Sequence, residues 1–172
     1  MPTKYLHLDD RTAVHYAHAG ATTLPGVPPA FDRGATIVLL HGEGGSGAEF
    51  NGCAALLGAD RSVYAPDLPG AGASDGPPGR MSNAELTDGI GDLLEQLGLR
   101  EVDLAGSGRG AELALALAAA RGSPVRRLVV SGMSPDAPDT AQPVHRLRNG
   151  ATFTGGNAAA VVAEMREFLD RA

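Results

Sequence analysis

Residues 105–110 read Ala-Gly-Ser-Gly-Arg-Gly, at the end of an apolar run and directly before a long alanine- and leucine-rich stretch. A turn of small residues between a strand and a helix is a place to present a nucleophile, and Ser107 is the one hydroxyl in it. Arg109 adds a planar cation that suits a carboxylate or a phosphate. Two more segments follow apolar runs: His41-Gly42-Glu43-Gly44-Gly45, and the stretch from Asp67 to Asp75 that reads DLPGAGASD. Glu43 is placed either to pair with Arg109 or to act as a general base. Proton carriers further along are scarce. His145 stands alone before a short apolar segment, and Asp136 and Asp139 lie in a Ser-, Pro- and Asp-rich stretch that reads equally as turn capping.

The elements that must position these residues follow from hydrophobic period. Residues 4–8 and 12–18 alternate around the turn-prone Asp9-Asp10-Arg11 and predict a β-hairpin. Residues 35–42 form a continuous β-branched run ending in glycine, as expected of a strand buried on both faces, and further buried strands are expected at 61–68, 101–106 and 126–133. Helical spacing occupies 48–58, 82–98 and 109–121. The alternation of strand and helix predicts a mostly parallel sheet with helices on both faces, an α/β fold. After Met133 the pattern weakens: 134–143 reads as loop, 144–153 as a last strand, and 157–172 as a closing amphipathic helix with Asn157 at its N-cap.

Composition bounds the rest. A chain of 172 residues fits one domain, residues 1–172, and an apolar fraction of 43% supplies its core. Aromatics are only 4%, so that core is Leu, Val and Ala. A net charge of −6 without any basic run excludes a nucleic-acid partner. The lone Cys53 rules out an internal disulfide and a cysteine-based zinc site, and it reads as a small buried apolar residue. No apolar stretch is long enough to span a membrane and the N-terminus carries no signal-peptide core, so a cytoplasmic protein is expected, with no membrane partner, no metal and no cofactor.

In their order and spacing, the HG-x-x-G loop at 41–45, the D-x-P-G-x-G-x-S-D segment at 67–75 and the 106–110 turn closely resemble the α/β-hydrolase family. The resemblance covers residues 1–133 well and the final helix fairly well. It implies that the 106–110 turn is the nucleophile elbow, G-x-S-x-G, with a serine at the tip and glycines two residues to either side. Laid on Gly106-Ser107-Gly108-Arg109-Gly110, that frame puts Gly108 at the tip, where no side chain can attack. Sliding it back one residue puts Ser107 there, but flanks it with Ala105 and the bulky Arg109. A literal G-x-S-x-G at Gly72–Gly76 lacks the strand-turn-helix context. The resemblance further implies a general-base His at a position held here by Thr152 (Gly150-Ala151-Thr152-Phe153), and an acid after a late strand that is missing together with the family's cap. It leaves the anion-stabilising half of the site: the Arg109 N–H at a helix start, a second donor from the 41–45 loop around Glu43 and Gly44, and room at Gly108. His41, Asp67 and Asp75 are expected to fix turns.

Three functions are compatible with this reading. The first is a triad-less protein holding a small carbonyl or carboxylate compound, with or without a step such as isomerisation, cyclisation or epimerisation. The second is an esterase-like hydrolase using Ser107, His145 and Asp136. The third is a non-catalytic structural or partner protein. A homodimer covering the open pocket mouth is expected with the first.

Overall fold

Along Thr36–Leu40 (β3) successive side chains point to opposite sides of the pleat, and none is more than 2% exposed. Ile37 and Leu39 enter one core cluster, Val38 and Leu40 another. A strand buried on both faces must be sandwiched, and the computed structural model, which describes residues 1–9, 12–20, 35–76, 81–132, 140–148, 153 and 156–171, shows that sandwich.

The strands are β1 (Thr3–Asp9), β2 (Thr12–Ala19), β3, β4 (Val63–Pro66), β5 (Val102–Ser107), β6 (Val125–Ser131) and β7 (Val144–Arg146), in the spatial order β1-β2-β4-β3-β5-β6-β7. The pairs β1–β2 and β2–β4 are antiparallel; β4–β3, β3–β5, β5–β6 and β6–β7 are parallel. The predicted hairpin therefore forms at one edge, although Asp10 and Arg11 of its turn lie outside the described residues, as does the polar stretch 21–34. Of the last strand expected over 144–153, the described residues form Val144–Arg146; 149–152 lie outside the described residues.

Helices α1 (Asn51–Leu57), preceded by a 3₁₀ turn at Gly47–Phe50, and α4 (Ala158–Leu169) cover one face. Phe50, Leu57, Phe153 and Met165 there meet Ile37, Leu39, Ala105 and Val129. The other face carries α2 (Asn83–Gln96) and α3 (Arg109–Ala119), whose Leu86, Ile90, Leu94 and Leu113 pack on Val38, Leu40, Leu104 and Leu128.

Helix α2 begins with a reciprocal capping box: Ser82 Oγ accepts from the Glu85 N–H at 3.2 Å, and Glu85 Oε2 accepts from the Ser82 N–H at 2.8 Å. Asn157 occupies the N-cap of α4 but its side chain makes no capping bond. Its backbone, at φ −98° and ψ 10°, lacks the extended conformation that turns a capping side chain onto the first helical N–H groups. Helix α4 is instead tied at its other end, where Arg61, 1% exposed, donates to Asp170 at 2.6 Å, and Arg127 donates to the Leu169 carbonyl at 3.0 Å.

Candidate functional site

The chain leaves β5 and enters α3 within a single residue, and that residue is Gly108, at φ 51° and ψ −120°. An L-residue adopts such a left-handed φ only under strain. The frame around it is set by backbone packing. A Cβ on Gly106 would stand 2.5 Å from the Gly110 carbonyl carbon, and one on Gly110 would stand 2.1 Å from the Leu40 carbonyl oxygen. Both positions therefore demand glycine. A Cβ on Gly108 would meet nothing within 4 Å. The apex of the turn is thus Gly108, with open space where a nucleophilic side chain would project.

Ser107 is the last residue of β5, paired with Ser131 of β6 and not at the apex. By register, His145 stands level with Val129 and Ala105, two strands across from β5 and two residues short of Ser107. At ~4.8 Å between strands and ~3.3 Å per residue along them, that separation is roughly 12 Å between backbones. The His145 ring is also turned to α4: Nε2 lies 2.8 Å from Glu164 Oε1, and the ring stacks on Phe168 with centroids 5.3 Å apart. Burial alone raises the Glu164 carboxyl, but the bonds from His145 and from the Arg148 N–H outweigh it and hold the group below its ordinary value. The structure therefore does not assemble Ser107 with His145. Asp136, Asp139 and the Gly150–Thr152 segment lie outside the described residues.

The residues around the apex are locked by a polar scaffold. His41, 1% exposed, accepts at Nε2 from the Leu68 N–H at 2.9 Å, so the ring proton sits on Nδ1 and is donated to the Gly42 carbonyl at 2.8 Å. This ties the 41–45 loop to the segment after β4. Asp67 accepts from the Gly47 and Ala73 N–H groups, each at 2.7 Å, and its Oδ2 lies 2.9 Å from His15 Nδ1. Burial raises the Asp67 carboxyl, yet those bonds together hold it below the usual carboxylate value. Ser74, the serine of the literal G-x-S-x-G, donates to the Asp67 carbonyl at 2.7 Å and accepts from the His15 N–H at 2.8 Å. It is a turn-holding hydroxyl. Asp75 accepts from the Ala13 N–H at 3.3 Å, so both aspartates stitch this loop to β2.

Between the two loops lies a pocket of about 500 Å³, lined by His41–Gly45, Leu68–Gly72, Met81, Leu86 and Arg109. It sits at the carboxyl ends of β3, β4 and β5, where parallel sheets gather ligands. Glu43 and Gly44 line it as exposed residues. Gly44 has φ 72° and nothing within 4 Å of an added Cβ, so this part of the loop is open to solvent. The N–H of Arg109 opens α3, and the first N–H groups of a helix have no partner within it. The half-buried Arg109 side chain donates from Nε to Asn83 Oδ1 at 2.8 Å and from Nη2 to the Met81 carbonyl at 2.7 Å. Neither partner was found from the sequence, because a helix start 26 residues upstream carries no spacing signal that it touches Arg109. A larger hollow of about 950 Å³ lies at the opposite end of the sheet, between the carboxyl ends of α2 and α3.

Cys53 is fully buried on the α1 face and its Sγ donates to the Phe153 carbonyl at 3.3 Å. Burial pushes its thiol up to about 11, which makes it a packing residue. Among the described residues no group of His, Cys, Asp and Glu is arranged to hold a metal ion, and no helix is long and apolar enough to cross a membrane.

Comparison with known proteins gives a consistent picture. The family described as alpha/beta hydrolase fold matches residues 35–158. An uncharacterised protein of Mycobacterium tuberculosis (strain ATCC 25618 / H37Rv) is 38% identical over 85 residues, 49% of this chain and 25% of that protein. A 2-hydroxymuconate semialdehyde hydrolase of Pseudomonas putida is 41% identical over 73 residues, 42% of this chain and 26% of that enzyme. The solved structure of an epoxide hydrolase superposes with a TM-score of 0.65 at 22% identity, covering 96% of this chain and 51% of that one, a likeness of fold. These matches span about a quarter of the curated relatives' length and about half of the solved structure's.

Proposed function

The chain belongs to the α/β-hydrolase fold family, and from that premise we propose that it holds a small carbonyl or carboxylate compound in the pocket beside Gly108, without forming a covalent intermediate. The observation that carries this reading is the bare apex: Gly108 has the left-handed backbone of an elbow tip and the flanking glycines of one, but no side chain to attack with.

What remains is suited to binding oxygen atoms that carry negative charge. The Arg109 N–H stands at the amino end of α3, where the helix dipole favours an anion. The His41–Gly45 loop forms the facing wall, held in place by the His41 bonds. Leu68, Met81 and Leu86 give the pocket an apolar side for a hydrocarbon body. Loss of a nucleophile costs on the order of 10⁶ in turnover, while donors and binding alone retain ~10³–10⁴ over water. Acyl-transfer turnover is therefore not expected. A conversion compatible with such a site is one that needs only a polarised carbonyl, such as an isomerisation.

A fluorophosphonate probe tests the covalent part: no labelling is expected, and stoichiometric labelling abolished by Ser107→Ala would restore an ordinary hydrolase. Thermal shifts across a panel of short carboxylic acids and their esters test the binding part. If no compound raises Tm, the pocket reading fails.

A further inference from the structure

Arg109 is a cation in a pocket wall, and its two hydrogen bonds go to neutral oxygens: Asn83 Oδ1 and the Met81 carbonyl. Which atoms make those bonds matters. Nε and Nη2 share one edge of the guanidinium plane and each gives one hydrogen to these oxygens, while Nη1 makes no bond among the described residues. The terminal edge, Nη1 together with the other hydrogen of Nη2, is the second fork of the group, with the geometry that meets a carboxylate in two parallel bonds.

Asn83 is itself oriented. Its Nδ2 donates to Glu112 Oε2 at 3.3 Å, so the amide oxygen is turned to Arg109 Nε. Glu112 and Arg109 both lie in the first turn of α3, and Asn83 is the first residue of α2. The amide thus bridges two helix starts and holds a long, otherwise rotatable side chain in one conformation without neutralising its charge. An acidic residue in place of Asn83 would cancel the charge and put a carboxylate where the amide now donates to Glu112; an alanine would leave the charge and release the side chain.

We propose that Asn83 is a positioning residue: it presents the Arg109 guanidinium by its terminal edge, so that the pocket selects a carboxylate over a neutral compound of the same shape. This rests on the binding reading above and names the ligand class within it, a monocarboxylate with a small apolar body to lie against Leu68, Met81 and Leu86.

The test is titration of the isotope-labelled protein, followed by amide chemical shifts, with 4-methylpentanoate and with 4-methylpentanamide, near-isosteric compounds that differ in charge. The wild type is expected to bind the carboxylate about tenfold more tightly, the effect of a charge-assisted bond at a half-exposed site. Arg109→Ala should erase that ratio. Asn83→Asp should bring it close to one, and Asn83→Ala should lower it several-fold. A merely structural Asn83 would weaken both compounds together and leave the ratio intact. Retention of the wild-type ratio in both Asn83 variants overturns the proposal while the pocket reading stands. If the wild type binds neither compound, the pocket reading falls and the proposal with it.

Discussion

The frame of the turn can be measured by adding one methyl group at each of its three glycines in separate variants. Gly110 lies in the first turn of α3, where helix propensity alone predicts that alanine stabilises by up to ~1 kcal/mol. The structure predicts the opposite sign. The added Cβ would stand 2.1 Å from the Leu40 carbonyl oxygen and 2.6 Å from that of His41, backbone atoms next to a fully buried strand. Relief requires moving α3 off the sheet, so a loss above about 4 kcal/mol is expected for Gly110→Ala, in the range that marks severe overpacking. Gly106→Ala should be comparable, with its Cβ 2.5 Å from Gly110 backbone atoms. Gly108→Ala should be mild. Its Cβ meets nothing, so the cost is the left-handed backbone alone, about 1–2 kcal/mol, or a fall in Tm of roughly 2–8 °C for a domain of this size. Thermal and urea unfolding followed by far-UV circular dichroism supply the three values. If Gly108→Ala is as damaging as Gly110→Ala, or if Gly106→Ala is tolerated, the apex is misassigned and Ser107 returns as a nucleophile.

Asp67→Asn should cost about 2–3 kcal/mol, because the neutral amide's single oxygen cannot replace a carboxylate that accepts from Gly47, Ala73 and His15. The Asp67 carboxyl is held low in the folded state, so its contribution is full above the ordinary value near 4 and drains as pH falls through the lower folded value. The acid limb of wild-type stability should accordingly be steeper than that of Asp67→Asn, in urea titrations across pH 2–6. Leu104→Ala, which removes a fully buried side chain between β5 and the α2–α3 layer, should cost about 2–5 kcal/mol by the same unfolding assay. His145→Ala should loosen the β7–α4 contact by about 1 kcal/mol and leave carboxylate binding at the Gly108 pocket unchanged, which a parallel titration checks.

Much of this architecture was legible before any coordinates. The runs at 35–42 and 101–106 read as doubly buried strands because apolar residues recur on both sides of their pleats, and β3 and β5 pair there in parallel; the buried exceptions are bonded, Asp103 to Arg126 and His41 to the Leu68 N–H. The α2 register follows from Leu86, Ile90, Leu93 and Leu94, which recur at helical spacing and are all buried. The family was legible from the three glycine-bearing segments. Three readings needed correction or completion. Asn157 has the right residue type for a cap but the wrong backbone. His145 was legible as a histidine near a strand, yet its partners Glu164 and Phe168 lie 19 and 23 residues further on and become neighbours only when α4 folds back over the sheet. Arg109 was legible as a cation near the turn, but the amide that orients it was not.

Identity at position 108 is a matter of sequence alone: a glycine has no side chain in any fold, and its spacing from Gly106 and Gly110 names the frame. That the frame is obligatory is a matter of tertiary structure, since only the approach of α3 to the carbonyls of Leu40 and His41 makes a methyl group at 110 impossible. The same division runs through the pocket. Local sequence decides which groups each loop carries, because composition and turn chemistry act over a few residues. Which of those groups meet, His41 with Leu68 and Arg109 with Asn83, is decided by packing helices on a twisted sheet, which brings together atoms that no short-range period relates.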